Sequence, residues 1–187
     1  MKNQWIQLVP PRRSLARDLT EFYRRNREFF RKYEPLRSPE FYSLRVQQEL
    51  LGDEIAAQKT GSSCCFYIQE AGAQSGIIGT ISLTGIIRGA FCSAFLGYKM
   101  DQEYINKGYM TMAVGMVTEY AFQNLGFHRI EANVMPWNES SLRVLEKNGY
   151  VKEGLAKNYL KINGKWEDHI HMVKLSGEES GSNGSAV

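Results

Sequence analysis

Residues 94–134 switch hydrophobic period twice within a short span, and few folds accommodate that order. Ala94 to Met100, ending Leu96-Gly97-Tyr98-Lys99-Met100, alternates as a strand does. A turn follows, Asp101-Gln102-Glu103-Tyr104-Ile105-Asn106-Lys107-Gly108. Beyond it Met110, Ala113, Val114, Val117, Ala121 and Leu125 recur with the spacing of one helix face. Gly126 and Phe127 close that helix, and His128 to Val134 alternate again, with Ile130, Ala132 and Val134 on one face and Arg129, Glu131 and Asn133 on the other. A helix crossing between two strands makes them parallel. The strand-to-helix junction aims backbone N–H groups and the positive end of a helix dipole at one point, which suits a phosphate or pyrophosphate. Gly108 permits close approach of a ligand, Asn106 tolerates a left-handed backbone, and Lys107 adds a charge. Neither the G-x-G-x-x-G fingerprint nor the P-loop spacing is present, and taken alone the stretch is better read as an ordinary surface turn before an ordinary helix.

A second stretch, Asn133-Val134-Met135-Pro136-Trp137-Asn138-Glu139-Ser140-Ser141-Leu142-Arg143-Val144-Leu145-Glu146-Lys147-Asn148-Gly149-Tyr150, shifts that balance. Asn138 is a good N-cap and Gly149 a good stop for a helix between them. Together the two stretches resemble the GCN5-related N-acetyltransferase superfamily, whose acyl-CoA loop is followed by a helix opening Asn-x-x-Ser. The RimJ/RimL branch, ribosomal-protein-alanine N-acetyltransferases, is matched by Gly108-Tyr109-Met110-Thr111, Phe127-His128-Arg129-Ile130 and Met135-Pro136-x-Asn138. Glu153-Gly154-x-Ala156-Lys157 and Asn163-Gly164-x-Trp166-x-Asp168-His169 look like its RimJ side. The resemblance extends over nearly everything before Ser176. It implies an α+β fold: a mixed sheet, antiparallel first and splayed at a parallel pair, with helices on both faces and acetyl-CoA inserted at the splay.

By that resemblance the chain transfers acetyl from acetyl-CoA to a primary amine, most specifically the N-terminal alanine of a ribosomal protein. A free amino acid, polyamine or drug amine is the rival acceptor, and a CoA-binding or ribosome-associated module with little catalysis is the rival class. The donor is already activated, so positioning supplies much of the rate. What remains is to polarise the carbonyl, neutralise the amine and protonate the thiolate. Backbone N–H near Met100 suits the first task. Lys107, Gly108, Tyr109, Met110, Thr111, Asn138, Ser141 and Arg143 are the other expected CoA contacts. Ser141 falls on the serine of Asn-x-x-Ser and is the candidate acid, with local backbone bonding as its plain alternative. Asn138 has N-capping as its own alternative, and Arg143 a solvated helix face. RimL-like relatives carry a glutamate on the strand that here reads Lys157-Asn158-Tyr159-Leu160-Lys161, where no carboxylate stands. Glu131 is then the first candidate base, with Glu103 and Tyr159 behind it. His169 and His171 share a strand face but lack a third ligand nearby, so they read as structural and no metal is expected.

The rest of the chain supplies context. With 187 residues it suits one domain, expected over 1–175 with a disordered tail over 176–187. Trp5 to Val9 reads as a strand. Helices follow around Leu15, Leu19 and Phe22, which Ser14 is placed to cap, around Phe29, Phe30 and Tyr33, and from about Glu40 to Lys59. Strands over Cys64 to Glu70, Ile77 to Ile87 and Cys92 to Met100 form a meander, and Asn163-Gly164 turns a final hairpin of Tyr150 to Lys161 and Lys165 to Leu175. Arg24, Arg25, Arg27, Arg31 and Lys32 make a basic stretch, a solvated face or a contact with ribosomal RNA. Cys64, Cys65 and Cys92 fit free thiols in a reducing compartment, and with neither a signal peptide nor a membrane-length apolar run a cytoplasmic protein is expected.

Overall fold

The computed structural model describes residues 1–73 and 76–177; the expected tail lies outside them from residue 178 onward. Among the described residues seven strands form one sheet: β1 (Ile6–Val9), β2 (Cys64–Glu70), β3 (Gly79–Ile87), β4 (Ser93–Met100), β5 (Arg129–Val134), β6 (Val151–Ile162) and β7 (Lys165–Leu175), in the order β1-β2-β3-β4-β5-β7-β6. Every neighbouring pair is antiparallel except β4 and β5. The crossover between them is α4 (Tyr109–Gln123), the helix whose apolar spacing the sequence displays.

Alternation assigns each strand's residues to two faces. Leu8, Phe66, Ile81, Leu96, Ile130 and Met172 face α4 and α5 (Glu139–Lys147), packing with Ala113, Val117 and Leu145 into the larger core. On the other face α1 (Ala16–Arg25), α2 (Arg27–Phe30) and α3 (Leu44–Thr60) contribute Leu19, Phe22, Phe30 and Leu51 to a second core with Tyr67 and Ile77. Helices therefore cover both faces, and the mixed sheet with its parallel pair is as expected.

Local boundaries depart from expectation where polar side chains compete for the backbone. The helix expected from about Glu40 begins at Leu44, because Pro39–Tyr42 closes as a 3-10 turn and Ser43 is extended, its hydroxyl accepting from the Val46 N–H at 3.3 Å. Ser14 caps nothing: it lies inside a 3-10 turn, Arg13–Leu15, that runs directly into α1. The strand at Ile77 begins instead at Gly79, since the Ile77 carbonyl is taken by the Arg25 guanidinium.

Candidate active site

Parallel register between β4 and β5 holds for three pairs only, Ser93 with Arg129, Ala94 with Ile130 and Phe95 with Glu131. Beyond Phe95, β4 stays paired to β3 as far as Met100, while β5 stays paired to β7 as far as Val134. The two strands part at the Phe95–Glu131 vertex, leaving facing backbone edges open between them. An elongated ligand with amide groups can fill such a slot.

At the far end of the slot the chain turns twice through left-handed backbone, Asn106 with φ 62° and Gly108 with φ 80°, and enters α4 with no side chain capping its first turn. The N–H groups there remain available to an anion, at the positive end of a fifteen-residue helix. Arg25 and Asn26 fasten the base of this turn: the guanidinium meets Asp101 at 2.5 Å and the Asn26 carbonyl oxygen accepts from the Gln102 N–H at 2.9 Å. Lys107 is exposed and lies over the Tyr104 ring, whose neighbour is Tyr109. Met110 is buried in the larger core and offers the ligand only its backbone. Thr111 spends its carbonyl on the Asn148 amide at 3.1 Å.

Asn138 caps α5, its carbonyl oxygen accepting from the Ser141 N–H at 3.3 Å and from the Ser140 hydroxyl at 2.9 Å. That places Ser141 on the first turn, where its hydroxyl meets the Tyr98 hydroxyl at 2.7 Å. Burial pushes the ionisation of Tyr98 well above the ordinary phenol range, so it holds its proton. Tyr98 lies on the splayed part of β4, and the bond reaches across the opening to α5. The sequence shows Tyr98 to be on the same strand face as Leu96 and Met100, but a contact made between separate elements leaves no local pattern. Arg143 is exposed and 3.7 Å from Glu139 one turn earlier.

On the opposite face of the sheet, Glu131 sits at the vertex with both carboxylate oxygens engaged. One meets Arg129 at 2.9 Å and the other meets Nδ1 of His171 at 2.6 Å. Arg129 also grips Glu153 at 2.7 Å, and its own charge is reinforced by that bond. The Tyr159 ring stands edge-on to His171 at 5.0 Å and tilted on His169 at 5.7 Å. It is aimed there by an irregularity in β6 between Ala156 and Leu160, where Asn158 has φ 48° and its N–H is held by Asp168 at 2.9 Å. Asn133, directly across from His171 in the ladder, has a buried carbonyl oxygen with no partner among the described residues. Lys99 on β4 pairs with Glu34 at 2.8 Å, and Arg37 holds the other oxygen of Glu34 at 3.2 Å. Tyr33 stacks on Trp137 at 5.5 Å, joining the segment after α2 to the loop after β5.

The structure thus brings Glu131 and Tyr159 together around His171, and brings Ser141 to Tyr98. Glu103 stands apart: it is exposed in the turn after β4, separated from the vertex by the whole splayed stretch, about 16 Å of strand. His171 was visible to sequence reasoning only as a neighbour of His169 on one strand face. Its pairing with Glu131 depends on β7 lying between β5 and β6. Among the described residues no cluster of three or more His, Cys, Asp or Glu side chains is placed to hold a metal ion, and no helix is long and apolar enough to cross a membrane.

Comparison with known proteins meets this geometry from outside. The family model described as "Acetyltransferase (GNAT) domain" matches residues 6–151. "Probable N-acetyltransferase YjcK" of Bacillus subtilis is 40% identical over 179 residues, covering 96% of this chain and 98% of that protein. The [Ribosomal protein uS5]-alanine N-acetyltransferase of Escherichia coli is 35% identical over 152 residues, 81% of this chain and 78% of the relative. The crystal structure of ribosomal-protein-S5-alanine acetyltransferase from Vibrio fischeri superposes with a TM-score of 0.87 at 34% identity, covering 95% of this chain and 96% of that one. A sheet opened at its one parallel pair, an uncapped helix N-terminus at the end of the opening and these matches lead to one conclusion: the chain belongs to the GNAT family of acetyl-CoA-dependent N-acetyltransferases, on its RimJ-like side.

Proposed function

We propose that this enzyme acetylates the free N-terminal α-amine of a protein, with the alanine terminus of a ribosomal protein as the first candidate. The observation that carries this reading is the state of the carboxylates on the acceptor face. Glu34 is held between Lys99 and Arg37, and Glu131 between Arg129 and His171. A polyamine presents several ammonium groups and requires carboxylates free to meet them. An α-amine, with a pKa near ~8 against ~10.4 for lysine, requires only a weak base and one polar seat. The 35% identity with the uS5-alanine enzyme supports the same choice.

In this reading the turn through Lys107 and Gly108 and the first N–H groups of α4, from Tyr109 to Thr111, hold the pyrophosphate of CoA. The open backbone of β4 up to Met100 guides the pantetheine arm. Asn138 and Arg143 lie at the rim of that path, and Ser141 waits beside the sulfur. The bound donor supplies an activated thioester; Tyr98 and Ser141 supply the proton for the leaving thiolate. The free thiols of Cys64, Cys65 and Cys92 support a cytoplasmic setting.

Thiol release from acetyl-CoA is the test, using an alanine-starting peptide beside a blocked-terminus copy, free amino acids and polyamines. Release confined to the free-terminus peptide is the expected result. Release only with spermidine-like amines would keep the enzyme and discard this acceptor.

A further inference from the structure

We infer that His171 is the general base of this enzyme, that Glu131 orients it, and that Asn133 seats the amine beside it. The three side chains share the acceptor face of adjacent strands, with Asn133 and His171 forming a direct cross-strand pair at the open side of the vertex. The assignment needs an amine acceptor but does not depend on that amine being a protein terminus.

The geometry specifies the chemistry. Glu131 accepts from the Arg129 guanidinium at 2.9 Å on one oxygen, and the 2.6 Å contact on its other oxygen makes Nδ1 of His171 the proton-bearing nitrogen. Nε2 then carries the lone pair, and no group among the described residues bonds to it. Tyr159 edge-on at 5.0 Å keeps the ring from turning. Asn133 contributes the second half of the seat: its carbonyl oxygen is buried with no partner among the described residues, and a bound N–H donor satisfies it. Glu131 itself is a poor base, because Arg129 and His171 already occupy both of its oxygens. This also explains how the chain functions without a carboxylate in 157–161.

The step balances simply. The acceptor ammonium donates one N–H to Asn133 and gives one proton to Nε2. The neutral nitrogen attacks the thioester carbonyl, forming C–N as C–S breaks. The remaining excess proton on nitrogen reaches the departing sulfur through Ser141 and Tyr98. The imidazolium, stabilised by Glu131, returns its proton to solvent, so one proton is released per amide formed.

Two measurements test this on the full chain. In long-range nitrogen spectra of the free enzyme, with signals from the three histidines assigned by single His→Gln variants, His171 should be the Nδ1–H tautomer. In steady-state kinetics on the best acceptor found, His171→Gln should lower kcat by about 10²-fold or more and erase the acid limb of the pH profile, while CoA affinity is retained. Glu131→Gln should move that limb to lower pH with a smaller loss in kcat, because an imidazolium loses its counter-charge. The charged and titratable groups around the ring are Glu131 and Arg129 on β5, Glu153 and Tyr159 on β6 and His169 on β7, so Tyr159→Phe and His169→Gln serve as controls that should leave the limb in place. Asn133→Ala should raise KM for the amine. An Nε2–H tautomer, or His171→Gln with near-normal kcat and an intact acid limb, would overturn the assignment. Failure of every peptide acceptor with success of a small amine would sink only the N-terminal reading, and if nothing in the panel turns over, the tautomer still decides for or against the dyad.

Discussion

The Tyr98 hydroxyl lies 2.7 Å from the Ser141 hydroxyl and ties the splayed end of β4 to the first turn of α5. Tyr98 is held protonated by burial, so it can act as donor to Ser141 and leave the serine's own hydrogen free for a neighbour. A serine hydroxyl polarised in this way is a better acid than one spent on local backbone, the alternative that the sequence left open.

Ser141→Ala should therefore lower kcat by about 10²-fold with little change in KM for acetyl-CoA. Tyr98→Phe should cost less, and the double variant should be no slower than Ser141→Ala, since the two hydroxyls act in series. Steady-state kinetics on all three variants checks this. A Ser141→Ala enzyme with normal kcat and a raised KM would instead make the serine a binding group.

Gly108 enters α4 with φ 80°, and a Cβ there would meet nothing closer than the Met112 Cε at 3.9 Å. Space is not the constraint; backbone conformation is. Gly108→Ala should cost about 1–2 kcal/mol of left-handed strain, or a local unwinding that turns the N–H groups away. CoA titrated calorimetrically into the variant should bind roughly tenfold more weakly. Unchanged affinity would mean that the anion site is formed elsewhere.

How much of this was legible beforehand depends on how far apart the interacting groups lie in sequence. The β4–turn–α4–β5 unit was readable because its period changes sit within one continuous stretch, and the Asn138 cap because capping is local. The Tyr98–Ser141 and Glu131–His171 contacts, 43 and 40 residues apart, require the third dimension. The second of them further requires β7 rather than β6 to lie against β5, which a hairpin signal at Asn163-Gly164 leaves undetermined. Tyr159 was found as a candidate, but the irregularity that aims it at the histidines comes from Asp168 holding the Asn158 N–H, a contact between the two arms of the hairpin.

His169 is 2% exposed and burial lowers its pKa below 6.5. The folded state therefore resists protonating this imidazole while the unfolded chain accepts the proton near 6.5. Its contribution to stability is complete above pH 6.5 and is lost as pH falls through the lowered folded value. Urea midpoints should decline on acidification below 6.5, and His169→Gln should flatten the decline in that interval. An equal slope in the variant would assign the acid sensitivity to other groups.

Gly115 in the middle of α4 marks where that helix meets the end of α5. An added Cβ would sit 2.9 Å from the Asn148 carbonyl oxygen. Asn148 cannot easily retreat: its amide donates to Thr111 at 3.1 Å and to Val144 at 2.8 Å, and its backbone carbonyl accepts from Lys174 at 2.7 Å. Gly115→Ala gains helix propensity of about 0.8–1.0 kcal/mol, yet the overlap should cost about 1–3 kcal/mol and outweigh it. The expected result is a lower melting temperature, together with weaker CoA binding, because Thr111 belongs to the α4 turn proposed to hold the pyrophosphate. Asn148→Ala in the same background relieves the overlap and should recover part of the stability despite losing the two hydrogen bonds that the Asn148 amide donates. A Gly115→Ala enzyme at least as stable as the parent would show that α4 and α5 can move apart, and would predict a looser Ser141 as well.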